Sequence, residues 1–236
     1  MSLFPLTLEN LCFKKGQLSI LNNITTRIDN PGITVLMGPN GAGKSLLLRC
    51  LHGMIEPTTG SVLWNGKTPD TAIRRRQSLV FQRPILLRRS VRANIEFVLR
   101  RRKLPAQEKV WRQLLEQVGL EGLEQRPARQ LSGGEQQRLA VARALALKPE
   151  VLMMDEPTAS LDPASTAIIE SIVIRLREQG TKILYVTHDI GQARRLADEI
   201  LFLHGGCLLE HSPANNFFKQ QETEEARRYL AGQIVF

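Results

Sequence analysis

Eight consecutive residues, Gly38-Pro39-Asn40-Gly41-Ala42-Gly43-Lys44-Ser45, carry the densest chemical signal in this 236-residue chain. They read G-x-x-x-x-G-K-[ST], directly after the apolar run Ile33 to Met37 and directly before the helix-like Leu46 to Leu51. Glycines at this spacing let backbone N–H groups turn inward around phosphate oxygens, and a helix that starts there presents its positive end. Lys44 offers a charge to terminal phosphates, and Ser45 a hydroxyl to Mg²⁺. A purely structural glycine turn is the plain alternative. The strand before it and the helix after it favour phosphate.

Two more stretches fit the same chemistry. Val151-Leu152-Met153-Met154 is a buried-strand pattern that ends in Asp155 and Glu156. Adjacent carboxylates at a strand end can divide the work, one holding a metal and the other polarising an attacking water. Alone, an Asp-Glu pair is ordinary surface chemistry; after four apolar residues, beside a phosphate loop, it gains weight. Leu131-Ser132-Gly133-Gly134-Glu135-Gln136-Gln137-Arg138 precedes a run of helix formers, so Ser-Gly-Gly at that helix start reads as a second anion site. An N-cap with flexible glycines would account for a lone Ser-Gly-Gly. It does not account for two phosphate-grade helix starts in one chain.

These groups need a sheet edge to hold them. The first third alternates β-like runs with turns: Leu6 to Phe13, Leu18 to Ile28, Ile33 to Met37, and Ser61 to Trp64 closed by the hairpin signal Asn65-Gly66. Ser90 to Leu120 turns helical. The last third runs Val151 to Met154, Ala164 to Gln179, Lys182 to Val186, Ile190 to Ala197 and Ile200 to Leu203. Strand and helix in alternation predict a parallel sheet with crossovers. With no repeat and no low-complexity linker, the middle block reads as a helical insertion into an α/β core.

Composition limits the remaining classes. No unbroken apolar run exceeds four residues, far below the roughly 20 of a membrane-spanning helix. The N-terminal MSLFPLTLEN has no export signal, so a cytosolic protein is expected. Cys12, Cys50 and Cys207 are far apart and form no CxxC pair, which argues against a disulfide framework or structural zinc. The formal charge of +9 is concentrated. Between Arg74 and Lys103 stand eleven basic residues and one acid, a net of +10, whereas the other 206 residues sum to −1. On composition alone such a cluster is a nucleic-acid or membrane-surface footprint, or simply a solvated face.

Taken in order, GPNGAGKS at Gly38 to Ser45, Gln82 in LVFQRP, LSGGEQQR at Leu131 to Arg138, VLMMDEPT at Val151 to Thr158, Ser160-Leu161-Asp162 and His188 in YVTHD resemble the nucleotide-binding subunit of ABC transporters. The resemblance covers essentially the whole chain. It implies a P-loop NTPase (RecA-like) α/β core with an N-terminal antiparallel β subdomain, over residues 1–82 and 150–236, and an α-helical subdomain over about 83–149. It implies ATP bound by Gly38, Pro39, Asn40, Gly41, Ala42, Gly43, Lys44 and Ser45, with Phe13 stacked on adenine. Ser45, Gln82 and Asp155 would serve Mg²⁺, and Gln82 would also sense the γ-phosphate. Glu156 would be the catalytic base, and His188 would hold the γ-phosphate and attacking water. Ser132, Gly133, Gly134 and Glu135 would reach ATP held by a second copy, and Asp162 would communicate across that homodimer.

The implied partners are an integral-membrane permease and, indirectly, an exported substrate-binding protein, with the chain peripheral on the inner face of the cell membrane. The segment Gln82 to Ser90, with Leu51 to Thr58 before it, resembles ATPases of tungstate-type and related oxyanion importers. The chain departs from the common pattern at Leu46, at Phe13 in place of tyrosine, and at Ile85 to Val91. That last stretch faces the permease in the family, so Arg88 and Arg89 are expected docking residues, with Arg74 to Arg76 and Arg100 to Lys103 solvated or lipid-facing. With only a short acidic tail (Glu222, Glu224, Glu225) at the end, no C-terminal regulatory domain is expected. The rival reading is a soluble ATPase of the same type acting on nucleic acid or ribosomes. Only 49 positions separate Gln82 from Leu131, too few for the long coiled coil of repair-type members, and one cassette is present where translation-type members carry two. No nucleic acid is therefore expected.

Overall fold

The computed structural model describes residues 2–29 and 31–233. Strands β1 (Leu6–Lys15) and β2 (Leu18–Ile28) form an antiparallel pair, followed by β3 (Ile33–Met37) and helix α1 (Lys44–His52). Next come β4 (Thr59–Trp64), the short α2 (Thr71–Arg74) and β5 (Gln77–Val80). A helical block of α3 (Val91–Arg101), α4 (Glu108–Gln117) and α5 (Gly133–Leu145) separates these from β6 (Val151–Asp155). The chain closes with α6 (Pro163–Glu178), β7 (Lys182–Val186), α7 (Ile190–Leu196), β8 (Glu199–His204), β9 (Cys207–Pro213), α8 (Ala214–Lys219) and α9 (Glu224–Leu230).

The sheets divide as the sequence pattern expects. A three-stranded antiparallel sheet has the order β2-β1-β4, and a six-stranded sheet the order β5-β6-β7-β3-β8-β9, parallel except for β9. Every residue of β3, β6 and β7 is buried, which is why these strands read as apolar runs without alternation. In β1 the buried residues fall at Leu6, Leu8 and then Leu11. The change of phase is a register shift in which Asn10 takes a left-handed φ of 47°.

The central sheet separates two apolar cores. Val35 and Met37 face the core that holds the helical block and α6, whereas Leu36 faces α1 and the antiparallel sheet. Alternate residues of one strand therefore fix the phosphate loop from both sides. Asn65 and Gly66 both have positive φ, as a two-residue hairpin turn requires, but the return is a single bridge from Trp64 to Lys67. The helical run Ser90 to Leu120 is two helices, broken after Arg101. β5, β9, α2, α8 and α9 were not evident from the sequence pattern.

Candidate functional site

The loop between β3 and α1 is held open by glycine. Gly38, Gly41 and Gly43 have φ of 141°, 83° and 94°, which side-chain-bearing residues rarely adopt. A Cβ on Gly38 would run into the Leu203 carbonyl, and one on Gly43 would lie 2.6 Å from Leu21 Cδ2. α1 begins at Gly43 with no side-chain cap and no acid in its first turn, so its positive end is unscreened.

Lys44 is buried, and its Nζ donates to the carbonyls of Gly38 (2.8 Å) and Pro39 (2.9 Å). Burial lowers its pKa from the ordinary value, while Glu156 and Asp155 hold the charge in place. Ser45 Oγ donates to Asp155 Oδ1 at 2.7 Å. Burial raises the Asp155 pKa; the Ser45 hydrogen bond and the Arg49 guanidinium, 4.0 Å away, oppose it. A hydroxyl and a buried carboxylate in contact are hard oxygen donors, a set that fits Mg²⁺.

Glu156 follows β6 with a φ of 44°, a left-handed conformation that is costly for a residue with a Cβ. Its N–H donates to the Val186 carbonyl at 3.1 Å, which turns the side chain toward β7. There Glu156 Oε2 meets His188 Nδ1 at 3.1 Å. Asn40, Gly41, Gly43, Lys44, Ser45, Gln82, Glu156 and His188 line one cavity of about 630 Å³, together with Arg49. Four separate stretches of sequence, 40–49, Gln82, Glu156 and His188, thus supply one hollow with cations, oxygen donors and a carboxylate-imidazole pair.

The remaining expected residues lie elsewhere. Ala42 is buried behind the loop, and Phe13 is half-buried against the N-terminal core and is not among the residues lining this cavity. Ser132 caps α5: its hydroxyl accepts from Glu135 N–H at 3.3 Å, and Glu135 Oε2 accepts from Ser132 N–H at 2.7 Å. Gly133 has open space around it, whereas a Cβ on Gly134 would collide with Ser165. Asp162 caps α6 through the Ser165 N–H at 2.9 Å, next to Gly134. None of these five residues lines the Lys44 cavity of its own chain.

Sequence reasoning missed three contributors. Arg49 stands one helical turn beyond Ser45, and that spacing could have revealed it. Gln137 is buried and donates to the Phe81 carbonyl at 3.0 Å, which ties α5 to the strand end beside Gln82. Under Thr158, Gln192 bridges to Glu170, which Arg195 grips with two hydrogen bonds.

A family model described as ABC transporter matches residues 21–159, more than half the chain. The chain belongs to the ABC transporter family. It is an ATP-binding subunit and an ATPase of the ABC type. It is 38% identical over 245 residues to the phosphate import ATP-binding protein PstB 1 of Vibrio parahaemolyticus, spanning 96% of this chain and 90% of the relative. It is 35% identical to the glutamate/aspartate import ATP-binding protein GltL of Escherichia coli, over 96% of this chain and 98% of that one. Among solved structures, cbiO1 of Clostridium perfringens, part of the ABC transporter complex cbiONQ, superposes with a TM-score of 0.82 at 30% identity, covering 92% and 91% of the two chains. A dimeric ATP-binding cassette in a post-hydrolysis state, bound to ADP and Pi, superposes with a TM-score of 0.80 at 31% identity, covering 89% and 98%. Among the described residues no helix is long and apolar enough to cross a membrane.

Proposed function

We propose that this chain is the ATPase of an importer, hydrolysing MgATP in a head-to-tail homodimer and driving a separate membrane permease from its inner face. The observation that carries the reading is the division of the site. One chain gathers Lys44, Ser45, Gln82, Glu156 and His188 at one cavity and leaves Ser132 to Glu135 outside it. A second copy placing its α5 start over the cavity would complete it, and the dimeric ADP-bound relative supports that arrangement.

In this reading the phosphates of ATP displace the two loop carbonyls from Lys44 Nζ and take the free N–H groups of α1. Ser45 and Asp155 would hold Mg²⁺, which supplies charge neutralisation to the phosphate oxygens. Glu156 Oε2 accepts the proton of the attacking water, and His188, in contact with that carboxylate, orients it. Gln82 answers to loss of the γ-phosphate, and Gln137 transmits its movement to α5. Residues 83–149 then move as a unit against the core formed by 1–82 and 150–236, and the dimer opens.

The test is Glu156→Gln. The variant should bind MgATP and dimerise as the wild type does, with turnover reduced by about 10²-fold or more. Undiminished hydrolysis would contradict the assignment.

The permease contact is proposed in a groove of about 880 Å³ between the core and the helical block, whose lining includes Arg74, Arg75, Arg101, Arg102 and Arg143 but no carboxylate. Ile85 and Met54, both exposed, stand on its wall. Eleven basic residues spread over thirty positions thus converge in part on one hollow, a better footprint than Arg88 and Arg89, which do not line it. An acidic, amphipathic permease segment is the complementary partner. Reversing Arg101 and Arg102 to Glu should break co-purification with the permease while sparing ATP binding; intact co-purification would refute the groove. An oxyanion is the proposed cargo, supported by the likeness to phosphate importers, although the likeness to GltL shows that similar chains serve amino acids too. Which of tungstate, phosphate and glutamate uptake is lost in cells lacking the protein, and restored when it is expressed again, decides it.

A further inference from the structure

The last helix reaches the site from the far end of the chain. Tyr229 Oη, on α9, donates to the His188 carbonyl at 3.2 Å. The Gly38 N–H, at the first residue of the phosphate loop, is near enough to this phenol to pull its pKa down. We propose that Tyr229 is a positioning residue for hydrolysis, its hydroxyl holding the His188 turn while its ring rests on the strand beside the start of the phosphate loop, so that the seating of α9 sets turnover.

The seating is built from both directions. The Tyr229 ring packs on Phe202 of β8, with centroids 5.4 Å apart, and Phe202 pairs with Met37 immediately before Gly38. At the other end of α9, Thr223 caps the helix through the Ala226 N–H, and the buried Glu210 accepts from Thr223 N–H at 2.6 Å and from its hydroxyl at 2.5 Å. Ala226 is fully buried between these anchors. A helix of seven residues is too short to be stable alone, so its position is set by these contacts. Burial pushes the Tyr229 phenol up to about 12 although the nearby Gly38 N–H pulls it down, so the hydroxyl stays a donor to the His188 carbonyl throughout the neutral range.

The consequence is specific. His188 makes its Glu156 contact from a turn whose backbone is tied to α9, and the ring of the same tyrosine lies on Phe202, the strand partner of the residue just before the phosphate loop. Removing the hydroxyl while keeping the ring would leave α9 packed and the turn free to shift, and small displacements of a catalytic group cost rate more than affinity.

The inference rests on the assignment of His188 to hydrolysis, and the test separates the two. Tyr229→Phe should lower kcat about five- to tenfold, with KM for ATP and the thermal midpoint nearly unchanged. His188→Ala should be slower still, and the double variant should lose less than the two single losses combined. A slow His188→Ala beside a Tyr229→Phe of wild-type kcat would overturn the role of Tyr229 alone. So would a fallen thermal midpoint with unchanged kcat, which is what mere anchoring of α9 predicts, or fully additive losses. Unchanged turnover in His188→Ala would overturn the catalytic assignment of His188 and, with it, the route by which Tyr229 acts.

Discussion

Two helices in this molecule, α1 and α5, begin on glycine-rich turns, and they treat their first N–H groups in opposite ways. α1 starts at Gly43 without a capping side chain, and the nearest cation, Lys44, is parked on the carbonyls of its own loop. α5 starts at Ser132 with a complete capping box, in which Glu135 also brings a negative charge into the first turn. The first start is open to an anion supplied from outside; the second is satisfied from within. In the proposed reading, then, a single chain takes phosphate at α1, while its α5 is an ordinary capped helix. The second anion site expected from Ser132-Gly133-Gly134 would then form only in the proposed dimer, with ATP on one copy meeting the other copy's α5.

That contrast can be broken by substitution at either end. Lys44→Ala should have the largest effect, removing both ATP binding and turnover, because the α1 start loses its buried cation; binding isotherms with a fluorescent ATP analogue measure it. Ser132→Arg should stop turnover but leave binding to the single chain nearly intact. Ser132→Ala should have the smallest effect on stability, about 1 kcal/mol or a few degrees in thermal midpoint from the lost cap. If Ser132→Arg abolished ATP binding by monomeric protein, the contrast between the two starts would be wrong.

The parts of the site legible in the sequence are those where backbone geometry dictates residue type. Gly38, Gly41 and Gly43 are glycines because their φ values demand it, and Gly134 because Ser165 leaves no room for a Cβ. β3, β6 and β7 were legible because burial on both faces leaves mostly apolar runs, interrupted by Thr34 in β3 and by Lys182 at the start of β7. β5 was not, since its four residues include Gln77 and Ser78, polar groups buried beneath the helical block. Tyr229 could not be found either. Its hydrogen bond joins residues 41 positions apart, and nothing in the local pattern of α9 signals it. The arginine cluster was visible as a run of charge, but which members share a groove depends on how α2, α3 and α5 pack.

The most direct measurement mixes inactive subunits. If each ATP lies between Lys44 of one copy and Ser132 of the other, a heterodimer of Lys44→Ala with Ser132→Arg carries both lesions in one site and keeps the second intact. A heterodimer of the double variant with wild type then has one lesion in each site. The account predicts that mixing the two single variants restores ATP hydrolysis and that mixing the double variant with wild type yields no active heterodimer. The reverse pattern would contradict it.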